Sequence, residues 1–513
     1  MHYLAITAAV SAISLFYFFG YCIYNIVFHP LKSYPGPKSW AACRIPLTYH
    51  KLKGDLPYKI KELHDQYGEA VRIAPNFLDY DSSAAWEDIY GFVKDHHKKN
   101  FAKDLTERNI GKDEPRNILT ADEVDHRRIR RLQSHVFSDK ALTSQEPLIQ
   151  EYARDFISGL IKFSSLSADK SINLGQWYNY TTFDLIGDLA FGEPFGCVKS
   201  GDMHPWIDLI FRTLNVVTLI SESQKYPILG VFSMFFVPRG MRGGFLKHNQ
   251  LAREKAGRRL DTPSDKPDFM SYILKHNQSE KGMTRQEIEE NASVLILAGS
   301  ETTASLLNGV TYYLLKNTTV LQNLTLELRT TFQTQGDLTL RALATCKYLN
   351  AVLEEGLRMY PPVPTTIPRI VPEGGGIISG QFVPAGATVG VNPWSSQLSS
   401  SNFYLPYEFH PERWLSLDDV EELKHKYPDM QLVDPRIFEN DDRKSRQPFS
   451  LGPANCIGKN LAYAEMRALL GNVVWGFNLE GGEGSSSWLE RNKIPSAVWS
   501  KPPLMVKLER VNV

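Results

Sequence analysis

Cysteine is scarce in this sequence. Five occur in 513 residues, Cys22, Cys43, Cys197, Cys346 and Cys456, at irregular intervals and with no CxxC pair. That excludes a disulfide framework and a zinc cluster and fits a chain kept in a reducing compartment. Net charge is missing as well: Lys plus Arg and Asp plus Glu number 57 each, so nothing calls for nucleic acid or another polyanionic partner. No internal repeat, low-complexity tract, or flavin or nicotinamide fingerprint interrupts the chain.

Charge is absent altogether from the 26 positions Tyr3 to Phe28. A secretory apolar core is only about 7–15 residues long, so this run is read as a membrane-spanning helix. Lys32, Lys38, Arg44, Lys51 and Lys53 follow it, and that excess of positive charge predicts a cytosolic body with a short lumenal N-terminus. The sequons at Asn179, Asn277, Asn291, Asn317 and Asn323 are then chance matches, since the glycosylation machinery lies on the other side of the membrane. In HPLKSYPGPKSW, Pro30, Pro35 and Pro37 around Gly36 prevent the spanning helix from continuing. The expected organisation is an anchor over 1–28, a proline-rich hinge over 29–38 and one catalytic body over 39–513.

Most of the body reads as helical. In MTRQEIEENASVLILAGSETTASLLNGVTYYLLKN, Thr284 and Glu287 form a capping box. The run that follows contains no proline up to about Lys316, which predicts a helix roughly 50 Å long. Val294 to Ala298 is apolar on every face, the mark of a buried helix. Ser300, Glu301, Thr302 and Thr303 come next, and a buried carboxylate beside hydroxyls needs partners or a chemical task. A second helix is expected over roughly Leu340 to Tyr360, stopped by Pro361, Pro362 and Pro364. The segment IPRIVPEGGGIISGQFVPAGATVGVN reads as short hairpins making the only notable sheet. Ser416 to Pro448 reads as irregular surface chain, and a last helix runs from Lys459 to about Trp475. The fold class is therefore mainly α with a small β-sheet region.

The stretch FSLGPANCIG, Phe449 to Gly458, carries the strongest chemical signal. The helix after Cys456 would place the sulfur near a helix N-terminus, where partial positive charge favours thiolate. Gly452 and Gly458 allow close backbone approach, and Phe449 covers the loop. In EEGLR, Glu355 and Arg358 lie three apart on one helical face, and FHPERW supplies Arg413, able to fork the same carboxylate.

Taken in this order, AGSETT, EEGLR, FHPERW and FSLGPANCIG resemble the motifs of the cytochrome P450 superfamily, from anchor to C-terminus. The resemblance implies a P450 fold with an N-terminal transmembrane helix, and Cys456 as the axial thiolate ligand of haem b. It implies Glu301 and Thr302 as the acid and alcohol that deliver protons to bound oxygen, and Glu355, Arg358 and Arg413 as the buried triad around the haem. Phe449, Gly452 and Gly458 would form the haem loop. The family usually carries a basic residue two positions before the cysteine, pairing a haem propionate, and here Ala454 stands in that place. His126, Arg130 and Arg369 are the cations expected to take over, while Asn455 adds a hydrogen-bonding side chain without charge.

The substrate pocket implied above the haem is apolar, lined by Leu297, Ala298, Thr303, Thr365, Thr366 and Ile367. With 57 residues after Cys456 and no flavin or nicotinamide motif, electrons must come from a separate protein, and the resemblance implies a membrane-anchored NADPH-cytochrome P450 reductase. Cytochrome b5 would be a second donor, and docking would use Arg443, Lys444 and Arg446. The PGP hinge, DHRRIRRLQSHVFSDKAL and NLAYAEMRALL are similar to enzymes of filamentous fungi that oxidise terpenoids, polyketides or alkaloids at the endoplasmic reticulum. The expected reaction inserts one atom of O2 into a lipophilic molecule. Two rivals remain at this point: a haem-thiolate isomerase or dehydratase needing no reductase, which dependence of product on NADPH would separate, and a non-catalytic haem-binding membrane protein, which would consume no oxygen.

Overall fold

A computed structural model describes residues 2–92, 100–105, 115–226, 244–262, 266–277 and 282–511. The chain forms two compact units, one comprising Met1–Asp104, Pro364–Phe403 and Asp442–Ala454, the other Leu105–Val363, Tyr404–Asp441 and Asn455–Val513.

The first unit begins with the helix His2–Val27, long and apolar enough to cross a membrane over Tyr3–Val27. Its end is tied to the body. Asn25 Nδ2 donates to the Ala42 carbonyl at 2.9 Å, and Asn25 O accepts from Arg72 Nη1 at 3.0 Å. The proline-rich segment that follows is pinned too: Arg72 N donates to Pro35 O at 2.7 Å. At Gly36, with φ of +152°, an added Cβ would lie 2.6 Å from the Arg72 carbonyl oxygen, so only glycine permits this approach.

Beyond this segment, Ala70–Ala74 pairs antiparallel with Phe77–Tyr80, which runs parallel to Thr388–Val391. Arg369–Ile370 and Ala102–Lys103 complete this five-stranded sheet, and Gly376–Ile378 with Gln381–Val383 forms a separate hairpin. Leu78, Val389, Val391, Ile378, Val383, Trp86 and Ile89 bury one continuous apolar core here.

The second unit is built around the helix Arg285–Lys316, 32 residues long. Its start is the capping box read from sequence: the Thr284 hydroxyl accepts from Glu287 N at 3.2 Å, and Glu287 Oε2 accepts from Thr284 N at 2.8 Å. The helix Leu174–Phe191 packs against it, buried over most of its length. The contact is close enough that a Cβ on Gly299 would meet Ile186 Cδ1 at 2.7 Å.

Three expectations are corrected. The second helix is two helices, Leu340–Thr345 and Lys347–Met359, broken at an extended Cys346. The buried Glu327 carboxylate accepts from Tyr348 N and Leu349 N at 2.9 and 2.8 Å and so starts a fresh helix there. The stretch after Ser416 is not irregular throughout, for Leu417–Lys426 is a helix with a Ser416–Asp419 capping box. The sheet near Arg369 is not the only notable one: Ser171–Asn173, Met505–Arg510 and Phe477–Gly481 form a three-stranded antiparallel sheet. The last helix, Lys459–Gly476, falls where the sequence put it.

Candidate active site

The central helix is buried along most of its length, yet Ala298 at its middle is exposed, and Thr302, four residues on, is half-buried. Residues four apart share a helix face, so an open surface is cut into an otherwise covered element, with Leu297 half-buried at its edge. The hydroxyls here turn back on the helix: Ser300 Oγ donates to Ile296 O at 2.5 Å, Thr302 Oγ1 to Ala298 O at 2.7 Å and Thr303 Oγ1 to Gly299 O at 3.4 Å.

Glu301 has no exposed surface. Its Oε1 accepts from Ser305 Oγ at 2.9 Å and from Lys501 Nζ, and Lys501 Nζ also donates to Ser305 Oγ at 2.7 Å. Its Oε2 is buried without a partner among the described residues. The structure therefore joins Glu301 to a C-terminal lysine that sequence reasoning did not single out. A second buried carboxyl was also missed. Glu465 lies on the helix Lys459–Gly476; burial pushes its pKa up to about 8, with the Thr303 hydroxyl as the opposing partner. Glu465 Oε2 likewise lacks a partner. Thr303, expected to face substrate, is buried and bonded to this carboxyl.

Cys456 precedes that same helix, whose N-cap is Gly458. The sulfur is accessible to solvent. Burial nonetheless raises the thiol pKa, against the Gly458 amide and the charges of Arg130 and Lys459, which lower it. Arg130, on the helix Glu123–Gln133 with the buried His126 four residues before it, donates from Nη1 to Asn455 O at 2.6 Å and from Nη2 to Asn455 Oδ1. The arginine thus grips the residue beside the cysteine. Phe449 and Gly452 belong to the first unit, Cys456 and Gly458 to the second. Gly452 adopts φ of +64°, and its Cβ would strike the Tyr90 carbonyl oxygen at 2.1 Å.

Also in the first unit, the buried Arg369 guanidinium stacks 5.1 Å from the Tyr90 ring centre and donates to Pro368 O at 3.2 Å. Thr366 spends its hydroxyl on the sheet, donating to Asp79 Oδ2 at 2.5 Å and accepting from Asn392 Nδ2 at 3.3 Å. Thr365 is half-buried and Ile367 exposed. Tyr90 OH holds the Ile367 carbonyl at 2.7 Å.

The triad is assembled and saturated. Glu355, Arg358 and Arg413 have no exposed surface. Glu355 accepts from Arg358 Nη2 at 2.7 Å and Nε at 2.9 Å, from Arg413 Nε at 3.5 Å, from His410 N at 3.1 Å and from Trp414 Nε1 at 2.8 Å. Burial alone would raise the Glu355 pKa, but Arg358 and Arg413 outweigh it and hold it below the usual value. Arg413 also pairs with Asp441, and Arg358 reaches the Pro406 and Glu408 carbonyls at 2.7 and 3.0 Å.

The donor chemistry fits a haem. Among the described residues no three His, Cys, Asp or Glu side chains converge on a metal, so a lone thiolate suits an iron whose other ligands arrive with its ring. A mainly helical body with one accessible cysteine before a helix, cations beside it and an opened central helix defines a haem-thiolate protein.

The comparisons agree. The family model described as Cytochrome P450 matches residues 35–508, and this chain belongs to that family. The cytochrome P450 monooxygenase aclL of Aspergillus oryzae is 44% identical over 489 residues, 95% of each chain. The cytochrome P450 monooxygenase astA of Talaromyces wortmannii is 41% identical over 489 residues, 95% of this chain and 94% of that one. The trichothecene C-15 hydroxylase of Fusarium sporotrichioides is 38% identical over 489 residues, again 95% and 94%. The protein is thus a haem-thiolate oxidoreductase of mainly α fold, using haem with a cysteine thiolate, O2 and electrons from NADPH delivered through a reductase.

Proposed function

We propose that this protein is a membrane-anchored monooxygenase that inserts one oxygen atom into a lipophilic fungal secondary metabolite, with Cys456 as the thiolate ligand. Cys456 carries the reading, as an accessible cysteine at the start of a helix with Arg130 and Lys459 in electrostatic range. When bound, the haem supplies an iron whose thiolate ligand favours O–O bond cleavage. Arg130, His126 and Arg369 hold its propionates, in place of the basic residue that Ala454 replaces, and Phe449, Gly452 and Gly458 shape its loop. Thr302 and Glu301 hold the protons that reach oxygen, Thr302 from the opened helix face. Glu355, Arg358 and Arg413 lock the surrounding fold.

Leu297, Ala298, Thr365 and Ile367 line the substrate pocket, with Thr303 and Thr366 behind them, their hydroxyls already engaged. The substrate is a terpenoid, polyketide or alkaloid; the name of one relative, a trichothecene C-15 hydroxylase, supports hydroxylation as the reaction. The anchor over 1–28 and hinge over 29–38 place the body over 39–513 on the cytosolic face of the endoplasmic reticulum. NADPH-cytochrome P450 reductase, with cytochrome b5 as an alternative donor, docks near the exposed Arg443 and Lys444.

The decisive experiment is Cys456→Ser. The parent's reduced, carbon monoxide-bound spectrum carries the thiolate signature, and the variant loses that signature together with all NADPH-dependent product. An unchanged spectrum overturns the assignment. Thr302→Ala retains the spectrum but releases more peroxide per NADPH oxidised, and peroxide release equal to the parent's removes Thr302 from proton delivery.

A further inference from the structure

Glu301 and Lys501 lie 200 residues apart, and nothing in the sequence spacing links them. Their meeting depends on a clamped C-terminal segment. Lys493 and Ser500 close it with paired backbone bonds of 3.1 and 2.7 Å. The Trp499 indole stacks on Tyr360 at 4.1 Å between ring centres and donates to Pro361 O at 2.8 Å. Leu504 N donates to Asn173 Oδ1 at 3.1 Å on the other side. Lys501 is thereby delivered from a segment that is anchored at both ends.

The pair it makes is buried, the Lys501 side chain 8% exposed and Glu301 not at all. Two opposite charges removed from water are retained only when each finds its partner. Ser305 sits one turn further along the helix and bonds both members. The Glu301 carboxylate is drawn towards the helix C-terminus, whereas the Thr302 hydroxyl turns the other way, to Ala298 O. The acid and the alcohol read from AGSETT thus occupy different settings, and one Glu301 oxygen is left with no partner among the described residues.

We propose that Lys501, acting with Ser305, is the positioning residue for Glu301, so that transfer of electrons into product rather than peroxide depends on the C-terminal segment. The inference rests on the reading of Glu301 as a proton-delivering acid. Lys501 does not touch substrate or oxygen; it fixes where the carboxylate stands and supplies its counter-charge.

The test compares Glu301→Gln, Lys501→Met, Lys501→Arg, Ser305→Ala and the double variant Glu301→Gln/Lys501→Met. Each is scored for the carbon monoxide spectrum, peroxide released per NADPH oxidised, and melting temperature. Support requires that Glu301→Gln and Lys501→Met raise peroxide release by similar factors, that the double variant be no worse than either, and that Lys501→Arg restore most of the coupling. In melting temperature, which reads the pair independently of turnover, the loss caused by Lys501→Met must be at least halved when Glu301 is also neutralised.

Where Lys501→Met yields no folded protein, Ser305→Ala and Lys501→Arg carry the decision, Ser305→Ala being required to raise peroxide release. If Glu301→Gln uncouples but folded Lys501 and Ser305 variants do not, the pair is structural only and the proposal falls while Glu301 keeps its role. If Glu301→Gln leaves coupling unchanged, the acid reading itself falls and takes the proposal with it.

Discussion

Among the carboxyl groups enclosed in the second unit, those around Glu355 and those around the middle of the central helix are managed in opposite ways. Around Glu355 every oxygen is claimed: two arginines, a backbone amide and an indole converge on it, and its pKa is held down. Around the middle of the central helix, Glu301 and Glu465 each keep an oxygen with no partner among the described residues, and burial pushes the Glu465 pKa up to about 8. A saturated carboxylate is a structural fastening, since all its hydrogen-bonding capacity is used in holding neighbours. Unsatisfied groups are costly to keep buried, and two such carboxyls on neighbouring helices beside an opened helix face support the proposal that chemistry is done there.

The contrast breaks most visibly with Glu355→Ala. That change leaves two arginines enclosed without their shared counter-charge, a loss of about 3–5 kcal/mol. The expected outcome is a chain recovered without haem or in aggregates, read from the yield of the carbon monoxide spectrum; a normal yield would remove the triad's structural role.

Next comes pH. Below the ordinary glutamate value of 4.5 Glu465 is protonated in both folded and unfolded chains, and between there and about 8 only the unfolded chain loses its proton. Stability is therefore lost as pH rises through that window, at most about 1.4 kcal/mol per unit. Glu465→Gln should flatten the fall, gaining a few kcal/mol at pH 8 and nothing at pH 4, as followed by denaturant unfolding at each pH. Glu355, with its pKa depressed, has the reverse sign: its contribution is full above 4.5 and disappears as pH drops through the lowered value. The smallest effect sharpens the picture. Trp414→Phe withdraws one of several donors to Glu355 and should cost about 1–2 kcal/mol in unfolding free energy without altering the spectrum.

How much of this was legible beforehand depends on the range of the interactions. The Thr284–Glu287 box and the run to Lys316 are local, and the helix is found at Arg285–Lys316. The break at Cys346 is not local, because the carboxylate that starts the new helix is Glu327, 21 residues before Tyr348. The second sheet pairs Ile172 with Val506, a contact that no short window contains. Ser416 and Asp419 did offer a capping signal for Leu417–Lys426, but a charge-mixed composition hid it. At the site, Glu355 and Arg358 were readable from their spacing, whereas Trp414, Asp441, Lys501 and Glu465 meet their partners through tertiary packing. Their signal, had it been sought, was a charged residue inside an apolar context, as with the glutamate in AYAEMRALL.

The tie between Asn25 and Arg72 bears on how this protein is handled at the bench. A cut at the first proline, Pro30, would discard the oxygen that Arg72 Nη1 bonds and the amide that holds Ala42. Arg72 is 2% exposed, so that cut strips an enclosed guanidinium of an acceptor just where the strand Ala70–Ala74 begins. A shortened version starting ahead of Tyr24 keeps the clasp, and is the better choice for crystallisation and assay.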